Sequence, residues 1–389
     1  MIRKLRAIKD IFKDMDKVLL FIMIVLSVFG LFNIVTASSR EAVVNLDQSV
    51  YYYFYKHLVV LVISLFIFIV IINVDTKKYY YLIPMLWLLA VGANLYLLIN
   101  GVVTRGASNW IKFPVFNLQP SELSKPIIIA AVALYIERFG KVFRKPKVSH
   151  WNQIMWLFII GLTIPAMVFF QKDLGTMIVQ VVIFGIMYLL SPVIRKEKFK
   201  ILGAVGCLVV VAGMLLYIIQ GHILSESQLA RLNYTNPCSK FGDDGYQVCN
   251  AYVAINLGGL TGVGIGKSTQ KYSYIPEPHT DMVFSIVAEE YGFLFGVTIL
   301  ILYAITLYRI LMLSSRANTI RGKYMCLGVA IFIFAHIFIN LGGLFGIIPL
   351  TGLPLPFISY GGSFTLSLVA SLAIVQRIHI ETSRHKVKF

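Results

Sequence analysis

The sequence predicts an all-α integral membrane protein with about ten membrane-spanning helices and both termini in the cytoplasm. Three observations predict it. The apolar residues, 58% of 389, gather in long runs. Charged residues are scarce, at 14%, and mean hydropathy is +0.78. Every second gap between runs is the basic one. A soluble chain would be about one-quarter charged.

A spanning helix needs roughly 20 mostly apolar residues. Residues 18–36, 58–74 and 79–99 supply the first three candidates, and 126–139 a short fourth. Runs 154–170 and 174–190 nearly touch through Gln171, Lys172 and Asp173, which predicts a tight helical hairpin. Four more follow at 201–219, 282–313, 324–348 and 363–378; the run at 282–313 is long enough to tilt or project. The whole chain, 1–389, then forms one polytopic domain. It has a cytoplasmic segment at 1–17, a long extracellular loop at 221–280 between helices 7 and 8, and a cytoplasmic tail at 379–389.

Lys and Arg set the orientation. Residues 1–17 carry six, 75–78 two, 137–151 five, 191–200 four, 309–323 four and the tail from Arg377 four: 25 of the 35. The net charge of +17 is therefore a topology signal, reinforced by attraction to anionic inner-leaflet lipid. Nucleic-acid binding would need the charge on one groove or stripe, which this distribution excludes. The first apolar run is too long for a signal peptide and has no small-residue cleavage site, so it reads as an uncleaved anchor.

Of four cysteines, Cys207 and Cys326 fall in spans and read as packing residues. Cys238 and Cys249 share the outer loop, where an oxidising compartment would permit a disulfide.

Four outer segments carry the candidate chemistry. The first holds Gly106-Ala107-Ser108-Asn109-Trp110-Ile111, then Gln119-Pro120-Ser121-Glu122-Leu123-Ser124-Lys125-Pro126. An early Pro and an acid in the first turn mark a helix start. Pro126 makes it awkward, so the helix begins near Ser124 or is kinked. Glu122 and Lys125, three apart, share a face. They form either an interfacial ion pair or a charged lining for a polar substrate.

The second is Asp173, flanked by Gly175 and Thr176, an N-cap or a functional acid. The third is the end of the long loop. Gly258-Gly259-Leu260-Thr261-Gly262-Val263-Gly264-Ile265-Gly266-Lys267-Ser268 invites a P-loop reading, but the required first Gly is Thr261. Glycines here let the backbone turn tightly or approach another element. Tyr274-Ile275-Pro276-Glu277-Pro278-His279-Thr280-Asp281 follows. Asp281 could cap the next helix. Partial desolvation at the lipid boundary would also suit it to general-base work, and His279 with Glu277 or Asp281 could alternatively hold a metal. Glu289 and Glu290 lie roughly 12 Å deeper on a regular helix. Intramembrane acids point to a polar cavity or partner charge, and only one of the two neighbours can face a given direction. Asn340 is a similar polar intrusion. The fourth segment, 349–362, has three prolines, three glycines and no charge. Irregular apolar backbone survives at a membrane only under a cover of protein or beside a water-filled cavity, which predicts a re-entrant or interfacial loop.

Together, Gly106 to Ile111, Gln119 to Lys125, Asp173 to Thr176, Pro276 to Asp281 with Glu289-Glu290-Tyr291-Gly292, and Pro349 to Gly362 resemble the signatures of the SEDS proteins (shape, elongation, division and sporulation), the family of FtsW and RodA. The resemblance spans nearly the whole chain, in order. It implies a ten-helix bacterial cytoplasmic-membrane enzyme that polymerises lipid II into glycan strands, with a class B penicillin-binding protein as transpeptidase partner alongside other division or elongation proteins. It implies Asp281 as the catalytic residue and carries Glu122, Lys125 and Asp173 over as site charges. Lys172 stands where the family usually has Pro, and Asn109 where it often has Arg. The long outer loop and the Ile-Pro-Leu-Thr-Gly run lean toward the FtsW branch.

The expected substrate-binding set is Glu122, Lys125, Asp173, Arg105, Trp110, Lys112, Lys172, His279, Glu289, Glu290 and Ser359. The chemistry is attack of a sugar hydroxyl, with Asp281 as base, on the anomeric carbon of a lipid-linked diphospho-sugar. Lys125, Arg105, Lys112 or a divalent ion such as Mg or Mn would offset the leaving group's charge. A lipid II flippase would suit the intramembrane acids, but no paired interruptions divide the chain into two matching halves. A non-catalytic scaffold would not need Asp281, Glu122 and Lys125 to converge.

Overall fold

The computed structural model describes residues 11–101, 109–112, 117–144, 151–221, 237–239, 243–272 and 275–386. Nearly all of them are helical. Helices α1 (Lys17–Arg40), α2 (Tyr52–Asn73) and α3 (Tyr79–Asn100) are followed by a two-residue ribbon, β1 (Ile111–Lys112) and β2 (Asn117–Leu118). Then come α4 (Pro120–Phe143), α5 (Trp151–Phe170), α6 (Leu174–Leu190) and α7 (Arg195–Gln220). The second half holds α8 (Asp243–Gly258), α9 (Val283–Tyr291), α10 (Phe293–Arg316), α11 (Ile320–Leu344) and α12 (Gly362–Lys386).

Every predicted span coincides with helical structure, one of them with two helices. Among the described residues, seven helices are long and apolar enough to cross a membrane, and α6 is a shorter apolar one. The exterior is apolar as well as the core, unlike that of a water-soluble bundle. Phe21, Phe66 and Leu88 are exposed, whereas Asn33, His57, Asn94 and Gln180 are sealed inside. Lipid tails solvate the apolar exterior, so polar side chains retreat to helix–helix contacts. α11 is the central post, packed against α4, α6, α10 and α12, and α12 packs along α2.

Four boundaries differ from the sequence reading. The run 282–313 is two helices, because Gly292 adopts φ +85° between α9 and α10. The loop 221–280 contains α8, whose register the mixed polarity of its sequence hides. The tail continues α12 to Lys386. The helix at Glu122 starts at Pro120 and runs through Pro126. Pro126 has no N–H to donate to the Glu122 carbonyl. Ser367 Oγ of α12 donates to that carbonyl instead, at 2.8 Å, so the helix persists.

At the end of the bundle bearing the basic segments, ion pairs tie the helices together. Asp16 caps α1 by accepting from Leu19 N, pairs with Arg309 and exchanges two bonds with Gln376. Arg321 meets Glu137 at 2.7 Å, and Arg377 pairs with Asp75 and Glu381.

Candidate active site

The charge-free segment 349–361, irregular as expected, organises the opposite end. The structure holds it by its carbonyls. Tyr303 OH donates to Pro356 O at 2.5 Å, and Asn340 Nδ2 to Leu353 O at 2.7 Å. His336 Nδ1 lies 3.1 Å from Pro354 O. Ser359 Oγ accepts from Leu355 N at 2.8 Å, so its hydroxyl closes the turn within the segment. Neighbouring helices leave room for this backbone at two glycines. A Cβ on Gly30 of α1 would lie 2.1 Å from Phe357 O, and one on Gly175 of α6 3.1 Å from Thr351 O.

Asp281 stands beside this segment, half-buried. An added Cβ on Gly352 would be 4.0 Å from its Oδ2. Thr280 Oγ1 donates to Asp281 Oδ1 at 3.0 Å, and Asn340 Nδ2 donates to the Asp281 carbonyl at 2.7 Å. The N-cap position of α9 is Met282, so Asp281 does not occupy the cap. His279 is buried, with its ring 4.3 Å from that of Tyr53 and 5.5 Å from that of Tyr360. Its carbonyl accepts from Tyr360 N at 2.8 Å. The aromatic run that opens α2 thus forms one wall of the turn carrying Asp281.

Glu122 and Lys125 meet at 2.7 Å, but sealed from solvent: Lys125 is 0% and Glu122 2% exposed. Lys125 Nζ also lies 2.9 Å from His336 Nε2. Thr176 Oγ1 sits 3.5 Å from Glu122 Oε1, and Glu122 Oε2 is buried with no hydrogen bond among the described residues. The ion-pair reading of these residues describes the geometry better than an open charged lining.

Asp173 does two jobs. Its Oδ1 accepts from Thr176 N at 3.2 Å, capping α6. Its Oδ2 accepts from Asn109 at 2.8 Å and Gln119 at 2.6 Å, which binds the start of α6 to the strands' flanks. Asn109, where the family often has Arg, is therefore a donor to this acid. Lys172 is exposed at φ +63°, and Trp110 is half-buried. Arg105 and the side chain of Lys112 lie outside the described residues.

Glu289 and Glu290 are both matched by the chain that follows α8. Glu289 accepts from Ser268 Oγ at 2.5 Å, Thr269 N at 2.8 Å and Thr269 Oγ1 at 3.0 Å. Glu290 pairs with buried Lys271 at 2.7 Å. Both acids engage the segment after α8, Glu289 through Ser268 and Thr269 and Glu290 through Lys271. The segment wraps the end of α9, with Val263 N bonded to Glu289 O and Gly264 N to Glu290 O. A Cβ on Gly258, Gly262 or Gly292 would lie within 2.5 Å of the opposing backbone, which explains the glycines without a phosphate. In the same region Cys238 and Cys249 are joined by a disulfide.

Sequence reasoning missed His336. Its signal was available, since an ionisable side chain amid an apolar run is functional or paired by default. No three His, Cys, Asp or Glu side chains among the described residues gather as metal ligands.

Residues 16–384 match the profile of the cell cycle protein family that groups FtsW, RodA and SpoVE. A probable peptidoglycan glycosyltransferase FtsW of Bacillus subtilis (strain 168) is 31% identical over 388 residues, covering 98% of this chain and 95% of that protein. Stage V sporulation protein E of the same strain is 34% identical over 276 residues, 69% of this chain and 71% of its own. In fold, the chain resembles one from a peptidoglycan synthase complex that coordinates polymerization and crosslinking, with TM-score 0.71, 23% identity and 94% and 97% of the two chains covered. It also resembles the rod shape determining protein RodA of Thermus thermophilus, with TM-score 0.66, 22% identity and 94% and 96% covered.

Proposed function

The chain belongs to the cell cycle protein family of FtsW, RodA and SpoVE, and on that footing we propose that it is a peptidoglycan glycosyltransferase of the bacterial cytoplasmic membrane, polymerising lipid II with Asp281 as general base. The observation that carries this reading is the placing of Asp281. It is a half-buried carboxylate held through its own backbone by Asn340, facing a pinned, charge-free loop.

In the proposed step, Asp281 accepts the proton of an acceptor-sugar hydroxyl as that oxygen bonds to the anomeric carbon of the donor. The bond from that carbon to the diphosphate breaks, and polyprenyl diphosphate leaves with the bonding electrons. A single displacement inverts the anomeric centre. Acid–base help of this kind contributes about 10²–10⁴-fold. The basic segments then lie in the cytoplasm and the Asp281 end outside. A class B penicillin-binding protein is the partner that would crosslink the strands. A divalent ion such as Mg or Mn, if bound to the diphosphate, would help to offset the charge of the leaving group.

The test is glycan-strand formation from purified lipid II by wild type and Asp281→Ala. Each is run with and without a cognate transpeptidase whose catalytic serine is disabled. Polymer from wild type alone is expected. Equal polymer from folded Asp281→Ala removes Asp281 from the chemistry. No polymer from either, with the partner present, returns the flippase and scaffold readings.

A further inference from the structure

The buried groups behind Asp281 form one connected path. Lys125 Nζ donates to Glu122 Oε1 at 2.7 Å and lies 2.9 Å from His336 Nε2. A carbonyl can only accept, so the 3.1 Å contact with Pro354 O requires the proton of His336 to be on Nδ1. Nε2 then accepts from Lys125, and the path runs in one direction, from Lys125 through His336 to Pro354 O.

One helical turn along α11, Asn340 continues it. Residues four apart share a face. The amide nitrogen of Asn340 divides its two hydrogens between Leu353 O and Asp281 O, each at 2.7 Å. Successive carbonyls of the loop, 353 and 354, are thus gripped by two side chains of the central helix, one of which also grips the backbone of the proposed base. All three of Lys125, His336 and Asn340 are at least nine-tenths buried.

We infer that His336 and Asn340 are positioning residues which fix where Asp281 stands relative to the loop, and that the sealed Glu122–Lys125 pair serves this path rather than contacting the diphosphate. The inference rests on the proposed glycosyltransferase reading. Buried ionic groups are expensive to keep in a membrane unless they do something apolar packing cannot. Here they fix the proton position and direction of an imidazole that holds one carbonyl of the loop. An imidazole is suited to this because it bonds at both ends. A misplacement of about 1 Å at a reacting group can lower rate by about 10²-fold, so such a brace is felt in kcat.

The two ends of the imidazole can be tested separately. In His336→Asn the side-chain amide overlays Nδ1 and can still donate to Pro354 O, while the link to Lys125 is lost. In His336→Gln it overlays Nε2 and can still accept from Lys125, while Pro354 O is released. Asn340→Leu keeps volume and removes both of its bonds.

With lipid II and the serine-disabled partner, His336→Gln and Asn340→Leu are expected to lower kcat at least about tenfold with KM within about twofold, and His336→Asn by about threefold or less. Amide hydrogen exchange reports on the brace without activity. The hydrogen-bonded backbone amides of Leu355, Ser359 and Tyr360 should exchange about tenfold faster in His336→Gln and Asn340→Leu, and near the wild-type rate in His336→Asn. If His336→Asn is the more impaired of the pair, or the variants raise KM and leave exchange unchanged, the path acts on substrate and the inference fails. A wild type that makes no polymer overturns the glycosyltransferase reading instead, and the exchange pattern still decides whether the brace exists.

Discussion

Glu290 forms a buried pair with Lys271, and a double-mutant cycle decides whether that pair is a structural lock or Glu290 is a substrate contact. The pair lies at 2.7 Å with side chains 0% and 2% exposed. Removing one partner of such a pair leaves the other charged and buried, at a cost of about 3–5 kcal/mol. Glu290→Leu strands the Lys271 ammonium, and Lys271→Met strands the Glu290 carboxylate. The double variant strands neither. It loses the Lys271 bond to Gly266 O, at 2.8 Å, and the contact of the ammonium with the Tyr272 ring, at 5.3 Å, together about 1–2 kcal/mol net. Each single should therefore lower stability by about 3 kcal/mol or more and the double by about 1–2, a coupling of several kcal/mol. The assay is reversible denaturation of purified protein in detergent, with lipid II polymerisation measured on the folded fraction. Losses that simply add would refute the lock. So would a Glu290→Leu protein that is as stable as wild type and inactive, which would restore Glu290 to the substrate site.

Other perturbations separate equally well. Gly292→Ala should prevent a stable fold in detergent, because φ is +85° and the added Cβ would lie 2.4 Å from Gly262 N, whereas Gly185→Ala, with nothing within 4 Å, should melt like wild type. Ser367→Ala should cost about 1–3 kcal/mol by orphaning the Glu122 carbonyl that Pro126 cannot satisfy. The same change in a Pro126→Ala background should cost less, since an alanine at that position supplies an N–H; equal losses in melting would refute the exchange of donors. Lys172→Gln should leave the melting curve unmoved, because the side chain is exposed, and raise KM for lipid II if this cation meets the diphosphate; an unchanged KM would remove it from the site.

Much of the fold was legible because membrane insertion imposes its rules on composition. Apolar length set the helices, and the Lys and Arg distribution suggested their orientation. Where the reading slipped, a feature that hydropathy does not register was responsible. Pro126 argued for a break, and only Ser367, 245 residues beyond Glu122, satisfies the carbonyl that would have caused one. The run 282–313 looks continuous because hydropathy does not register the φ of Gly292. α8 was hidden because its residues mix Asp, Asn and Gly with apolar positions, and the helix is held against α9 rather than by its own pattern.

The site was legible in its parts and not in its wiring. Asp281, Asp173, Glu122 and Lys125 were all singled out, since acids and bases at a membrane boundary stand out against an apolar background. Sequence could not say which of these charges were already matched. Asp173 is taken up by Asn109, Gln119 and Thr176, and Lys125 by Glu122 and His336. A charge matched inside the fold has little left to offer a diphosphate, because turning it outward would strand its partner. The charges available to an incoming anion are then the unmatched and exposed ones, of which Lys172, beside Asp173 at the start of α6, is the nearest in sequence to the capped helix end. The site is thereby divided by burial. On the proposed reading, an inner set of paired charges would fix the geometry of the loop and the turn at Asp281, and an outer set would meet substrate. A substitution in the inner set should be read out first as mobility and kcat, and one in the outer set as KM.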